Sequence, residues 1–353
     1  MKVLITGIAG FVGSRLAEYF KSYSQAIEII GIDNLSRRGS ETNLTLLKSL
    51  GCTFIHGDIR VKEDVEVLPK VDWIIDCAAD PSVLAGVTSS AAKLIGNNLI
   101  GTLTLLEKCA KDNSGFIILS TSRVYSIESL NKIPLKETQD RFEIDAGKTS
   151  PIGSSLAGIT EEFSTKSPVS LYGATKLSSE IMAEEYAMLY KFPLWINRCG
   201  VIAGAGQFGK IDQGIFSFWI YQWLLNKPLS YIGFSGTGKQ VRDFLSPQDL
   251  AKLILKQMNT PQHKAPKIMN VGGGYKISMS LKELSTYCQE RTGIKREVKS
   301  FEQDRPFDIQ LYITDNTLVN KLWDWKAEKE KFELLDEILD WANKNYYLIE
   351  KGF

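Results

Sequence analysis

The chain opens on MKVLITGIAGFVG, a short apolar run that turns through Gly7, Gly10 and Gly13 into a segment with apolar residues at helical spacing. A strand that feeds directly into a helix through a tight glycine turn must lay that helix back on its sheet, so the next strand runs parallel to the first. The following residues keep this rhythm. Strands are expected at Val3–Thr6, Ile29–Ile32, Thr53–Ile55, Trp73–Cys77 and Phe116–Leu119, with helices at Phe11–Tyr19 and Asn98–Cys109. IIGID and WIIDCAA are apolar without alternation, as strands covered on both faces should be.

Residues 126–171 break the alternation. They are rich in Ser, Gly, Lys, Glu and Pro and read as an irregular insertion, and loops of that length inside a compact domain usually serve function. A helix near Ala174–Tyr190 and a strand at Leu194–Arg198 follow. The last third mixes strands near Leu229–Ile232 and Ile268–Val271 with helices near Leu281–Thr292 and Phe332–Asn345. The expected fold is α/β: a Rossmann-like, doubly wound parallel sheet with a smaller C-terminal α/β region that binds substrate. Residues 1–175 form the dinucleotide-binding part, and 176–353 supply the rest of the sheet interleaved with the smaller domain.

A net charge of +1 gives no global field toward nucleic acid or membrane, so an anionic ligand needs local basic groups. Five scattered cysteines without a CxxC pair point to reduced thiols. Two histidines, His56 and His263, are too few for a histidine metal site, and no metal is expected. MKVLITG enters a strand at once, with no signal segment and no run long enough to span a bilayer, so a cytoplasmic protein is expected.

The three glycines have separate tasks. Gly7 permits the turn, Gly10 lets backbone N–H groups approach a pyrophosphate, and Gly13 lets helix and strand pack closely, with the helix start (Phe11, Val12) facing the anion. Asp33 ends the next strand about 20 residues past the last glycine, where a carboxylate bonds the adenosine 2′-hydroxyl and favours NAD. Arg37 and Arg38 leave a 2′-phosphate open. Asp58, in HGDIR, is placed to reach the adenine.

Tyr172 and Lys176 form YxxxK, and four residues on a helix bring two side chains to one face. An ammonium beside a phenol favours the phenolate, and a phenol so tuned takes a proton from a substrate hydroxyl. STSRVY, directly after the strand Phe116–Leu119, puts hydroxyls at the carboxyl edge of the sheet, where such folds bind ligands.

In this order, TGxxGxxG, Asp33, NNLIGT at Asn97–Thr102, STSRVY, YxxxK and GKQVRDFL at Gly238–Leu245 resemble the extended short-chain dehydrogenase/reductase (NAD-dependent epimerase/dehydratase) family over nearly the whole chain. The resemblance implies Tyr172, Lys176 and Thr121 as catalytic residues, with Ser122 as a substitute for Thr121. It implies a cofactor cradle of Gly7, Gly10, Phe11, Val12, Gly13, Asp33, Asn34, Asp58, Ile59, Ala78, Ala79 and Asn98, with Tyr172 and Lys176 also touching the cofactor. Ser122 and Arg123 would contact the substrate, and Arg242 and Arg305 would pair with its nucleotide diphosphate. Dehydrating members carry an Asp-Glu pair where this chain has Ser122 and Arg123. The stretch Arg198–Trp219, the loop Gly158–Gly173 and DNLSRRGSETNL are similar to CDP-tyvelose (CDP-paratose) 2-epimerases. This implies C2 inversion of a CDP-(dideoxy)hexose by transient oxidation, with Gln207, Asp212 and Gln213 as substrate contacts. A 4-epimerase, a one-way nucleotide-sugar dehydrogenase or reductase, and an NAD-binding sensor remain alternatives. Ser126 stands where the family has glycine. Cys199, beside Arg198, reads as a small buried residue rather than a catalytic thiol. Members pair two helices per subunit into a homodimeric four-helix bundle; here Ile181, Met182, Tyr186 and Leu189 would form the apolar stripe.

Overall fold

The structure is a computed structural model and describes residues 1–86, 90–261 and 266–351. His263 lies outside the described residues.

Apolar, β-branched runs build a seven-stranded sheet, parallel throughout. Its first five strands in chain order are β1 (Lys2–Thr6), β2 (Glu28–Asp33), β3 (Thr53–His56), β4 (Trp73–Asp76) and β5 (Gly115–Thr121). The spatial order is Ile268–Val271, Leu194–Cys199, β5, β4, β1, β2, β3. The order reverses between β1 and β4, and that is where an open α/β sheet opens a crevice beyond its strand ends. Ile268–Val271 therefore belongs to the main sheet rather than to the smaller region: its apolar side chains pair with Leu194–Cys199 at the sheet edge.

Both faces are covered. On one, Leu16 and Phe20 of the helix Phe11–Tyr23 pack with Leu250 and Ile254 of the helix Pro247–Asn259 over Val3, Ile5 and Ile75. On the other, Leu105, Leu106 and Ala183 cover Leu4, Ile74 and Ile118. The helix Pro247–Asn259 adds to the expected elements: the N-cap Ser246 and Pro247 start it, and Leu250, Leu253, Ile254 and Met258 repeat at helical spacing.

Other departures have local causes. Asn98–Cys109 is not one regular helix: a π-helical turn at Gly96–Ile100 precedes the α-helix Gly101–Asp112. Its widened turn presents Asn98, whose Oδ1 accepts from Asp80 N at 2.7 Å and whose Nδ2 donates to Asp80 O at 3.0 Å. The catalytic-motif helix begins at Ser170, not Ala174, so Tyr172 and Lys176 are both inside it. Residues 126–171 are not irregular throughout, since they hold a four-residue helix, Ile127–Leu130, and two short antiparallel ladders.

Across the carboxyl ends of the main sheet lies a smaller sheet. Val241–Leu245 is its centre, flanked by Val201–Ile202, Ser278–Ser280 and Leu311–Tyr312. Ser230–Ile232 pairs separately with Lys299–Phe301. Trp219, Trp223, Phe244, Leu284 and Leu334 form the core beneath the helices Ile215–Leu224, Leu281–Thr292 and Lys331–Lys344. No described helix is long and apolar enough to cross a membrane.

Candidate active site

A cavity of about 410 Å³ runs from the glycine turn, across the ends of β4 and β5, to the smaller sheet. Gly7 has a left-handed φ of +62°, and a side chain there would press on the backbone of Ala78. At Gly13 a Cβ would sit 2.5 Å from Gly7 O and 2.7 Å from Ile8 Cα, so only glycine lets the helix descend onto the turn. The first amides of that helix face the cavity through Phe11, Val12 and Gly13. This is a cradle shaped for a pyrophosphate.

Asp33 ends β2 beside this turn. Its Oδ2 accepts from Ala9 N at 3.0 Å and its Oδ1 from Leu35 N at 2.8 Å. Burial raises its pKa, while these backbone bonds oppose the rise. The carboxylate thus ties the ribose loop to the glycine loop. Arg37 does not wait for a 2′-phosphate. Its Nη1 donates to Gln213 Oε1 at 2.5 Å and its Nη2 to Phe208 O at 3.0 Å, so it clasps the segment 204–214 instead. Arg38 lines the cavity. Asp58 is held by Arg60 and by Asn34 Nδ2 at 3.0 Å, and hydrogen bonds from Arg60 keep its carboxyl well below the usual range. Gly7, Gly10, Phe11, Val12, Gly13 and Ala79 line the cavity, whereas Asp33, Asn34, Asp58, Ile59, Ala78 and Asn98 do not.

Tyr172, Thr121, Ser122 and Arg123 meet where β5 ends. Thr121 Oγ1 accepts from Arg123 N at 3.1 Å, starting a short turn over Ser122–Val124. The Thr121 side chain lies near enough to the Tyr172 phenol to favour its ionised form. Burial pushes its phenol up to about 12, against the lowering effects of Thr121 and the Arg123 guanidinium. The expected lowering by a neighbouring lysine does not govern this phenol: desolvation of the phenolate outweighs the nearby charges, and Arg123 rather than Lys176 is the cation that acts on it most. Lys176 is 1% exposed, within electrostatic reach of Cys77 and Cys199. Cys199 is buried with its thiol pushed up to about 12, an inert state rather than a nucleophile. Ser126 caps the helix Ile127–Leu130 with its hydroxyl, a local use for a side chain at that position.

At the far end Arg123, Arg242 and Arg305 converge on Asp308. Arg242 Nη2 lies 3.2 Å from Asp308 Oδ1, and Arg305 Nε is 3.7 Å from Oδ2. Arg123 Nη1 donates to Phe307 O at 3.2 Å. Burial, followed by the nearby Arg123, lowers Arg242 to about 10. Two guanidinium groups pair with one carboxylate and a third, Arg123, lies within its electrostatic reach, which leaves an excess of positive charge facing the cavity. Asp308 was legible in DRPFD, three residues past Arg305, but nothing in the sequence showed that it gathers all three arginines.

The segment 204–214 crosses the cavity between these ends. Its polar residues serve the protein itself: Gln207 Nε2 donates to Ile202 O at 2.9 Å, Ser217 Oγ donates to Gln207 Oε1 at 3.0 Å, and Asp212 accepts from Ser82 Oγ at 2.5 Å. With Gln213 held by Arg37, the three expected substrate contacts build a strap whose inner surface lines the cavity. Among the described residues, no group of three His, Cys, Asp or Glu side chains is arranged to hold a metal ion.

Comparison with known proteins agrees with this geometry. The model of the NAD dependent epimerase/dehydratase family matches residues 3–272. CDP-paratose 2-epimerase of Salmonella typhi is 30% identical, with 97% of this chain and 99% of that protein aligned. UDP-glucuronate 4-epimerase of Thermodesulfobacterium geofontis is 27% identical, with 98% of each covered. Among solved structures, UDP-glucuronic acid 4-epimerase of Bacillus cereus, in complex with UDP-glucuronic acid and NAD, superposes with a TM-score of 0.77 at 25% identity, covering 98% of this chain and 99% of that one. The glycine cradle, the buried tyrosine at the end of β5 and these full-length matches place the chain in the NAD-dependent epimerase/dehydratase family, as an enzyme that works with NAD.

Proposed function

We propose that this enzyme inverts C2 of a CDP-linked dideoxyhexose by oxidising it to a keto-sugar and reducing it again on the other face. The observation that carries the reading is the single cavity that joins the glycine cradle, the Tyr172–Thr121 pair and the arginine cluster. The glycine end is left to the cofactor, and a nucleotide sugar would take the stretch from Tyr172 to the arginine cluster. The diphosphate neutralises the excess charge of Arg123, Arg242 and Arg305, and the sugar then lies against Tyr172.

Tyr172 holds and moves the proton. Its phenolate accepts the hydrogen of the sugar hydroxyl and returns it after re-reduction, while Thr121 steadies the developing charge on the sugar oxygen. Bound NAD supplies the hydride acceptor and, as a cation, an electrostatic pull toward phenolate. Lys176, buried on the same helix face, adds positive charge beneath the site. The strap 204–214 and the start of the helix Ile215–Leu224 wall one side of the cavity.

The choice of C2 and of CDP rests on the full-length similarity to the Salmonella typhi enzyme. The similarity to UDP-glucuronate 4-epimerase makes C4 inversion the competing outcome. Purified protein is mixed with CDP-, UDP-, GDP- and dTDP-hexoses without added NAD, and products are read by mass spectrometry and NMR. An isomer of unchanged mass inverted at C2 supports the proposal. Inversion at C4, or a change of two hydrogens that needs added cofactor, overturns it.

We also propose that the chain forms a homodimer through the helices Gly101–Asp112 and Ser170–Tyr190. Ile181 and Leu189 are exposed there, joined by Ile100 and Met188. Met182 and Tyr186 instead pack into the chain's own core, and Tyr186 OH donates to Glu107 Oε1 at 2.6 Å.

A further inference from the structure

Below the reacting residues lies a buried ion pair that the chemistry above does not use. On the helix Ser170–Tyr190, Glu180 stands one turn past Lys176 and two past Tyr172, on the face turned to the sheet. It is 1% exposed. Its partner Arg198 lies in the strand Leu194–Cys199 directly opposite Ser120 of β5. Arg198 Nε donates to both carboxylate oxygens at 3.1 Å, and Nη2 donates to Oε2 at 2.7 Å. Ser120 Oγ donates to the same carboxylate. Arg198 Nη1 reaches Tyr125 OH at 3.3 Å, and Tyr125 OH donates to Asn270 Oδ1 at 2.6 Å.

A buried ion pair is weak evidence for stability, because well-packed apolar groups often do as well. What it supplies that apolar packing does not is direction. Glu180 collects donors from two neighbouring strands, one of them the residue immediately before Thr121. The helix that carries Tyr172 is thereby fixed in rotation and height against the strand end that carries Thr121. The opposite flank of the helix is held by Asn98, whose carbonyl accepts from Ser179 Oγ at 2.7 Å. Apolar contacts alone would let the helix slide or roll by fractions of an ångström.

We propose that Glu180, with Arg198 and Ser120, is a positioning residue: it sets the catalytic helix against β5 so that Tyr172 meets Thr121 and the sugar hydroxyl at reacting distance. It touches none of the reacting atoms. The proposal rests on Tyr172 being the proton-transfer group of the reaction proposed above. Misplacement by about 1 Å costs on the order of 100-fold in rate, so the expected loss is in kcat rather than in substrate binding.

The decisive variant is the double substitution Glu180→Leu with Arg198→Met, which fills the space without an orphaned charge. Three quantities are compared with wild type: melting temperature with NAD content, kcat and KM on the nucleotide sugar that wild type turns over, and the ¹⁹F resonance of residue 172 in 3-fluorotyrosine-labelled protein, assigned among the 13 tyrosines by its absence in Tyr172→Phe. The expected result is a retained fold and NAD content, a kcat at least 10-fold lower, KM within about twofold, and a displaced resonance. A kcat within twofold and an unmoved resonance overturn the proposal. If the double variant does not fold, Ser120→Ala decides: a kcat at least threefold lower with a displaced resonance supports the proposal, and no change in either overturns it. Wild-type turnover tests the reaction itself; should no sugar be turned over, the resonance alone decides the positioning role.

Discussion

A methyl group added at position 13 tests the cradle. In Gly13→Ala the new Cβ would sit 2.5 Å from Gly7 O and 2.7 Å from Ile8 Cα, both main-chain atoms that cannot swing aside. Unstrained carbon contacts lie near 3.5–4.0 Å, so the helix Phe11–Tyr23 must rise by about 1 Å. Overpacking of this kind costs roughly 1–3 kcal/mol. Alanine inside a helix gains up to about 1 kcal/mol over glycine, so the net effect is destabilising although propensity alone predicts the opposite. The same displacement carries the helix amides away from the pyrophosphate. Loss of one charge-assisted hydrogen bond, about 1.5–3 kcal/mol, weakens NAD binding by roughly 10- to 100-fold. Thermal unfolding of protein stripped of cofactor isolates the first effect. Calorimetric titration with NAD, and the NAD released on acid denaturation, measure the second. A variant as stable as wild type that binds NAD equally well would refute the argument that contact between helix and turn requires glycine here.

Four further outcomes are expected. Tyr172→Phe should lose roughly 10²- to 10⁴-fold in turnover, the range for a lost proton-transfer group, while product-free protein still carries NAD; a loss below 10-fold argues against a proton-transfer role. Arg37→Met removes the clasp on Gln213 and Phe208, and NAD should leave the protein at least several-fold faster in a stopped-flow competition with excess analogue; an unchanged off-rate means that the strap does not gate the cofactor. Burial raises Asp243 from 3.8 to about 6, so the native state holds this proton longer than the unfolded chain, and stability present below pH 4 is lost as pH rises through about 6. The loss is about 3 kcal/mol for roughly two pH units, and Asp243→Asn should remove most of it, making the variant the more stable at pH 7.5 in urea unfolding. Leu189→Glu with Ile181→Glu should leave a folded monomer by sedimentation if the exposed helix face is the dimer interface.

Much of the architecture could be read along the chain because its signals are local. Gly7, Gly10 and Gly13 act within one turn, the parallel strands are apolar from end to end, and YxxxK needs only helical spacing. The helix Pro247–Asn259 carries both kinds of local signal, Ser246 and Pro247 at its start and Leu250, Leu253, Ile254 and Met258 at helical spacing. Ile268–Val271 looked like a strand of the smaller region because sequence order does not state which sheet a strand joins.

The site divides in the same way. Sequence alone determined which groups are present: a pyrophosphate turn, an acid at the ribose loop, a tyrosine, a lysine and several arginines. Only the tertiary structure decided what each one faces. Arg37 turned to the strap rather than to a phosphate, Gln207, Asp212 and Gln213 each made a side-chain hydrogen bond within the protein, and Asp308 paired with Arg242 and Arg305 within electrostatic reach of Arg123, 185 residues away in sequence. Burial raised the phenol of Tyr172 above its value in water, an effect that depends on what surrounds the ring and not on its neighbours in sequence. Spacing along one helix fixes which side chains share a face; which charges and walls meet them is set by packing between distant segments.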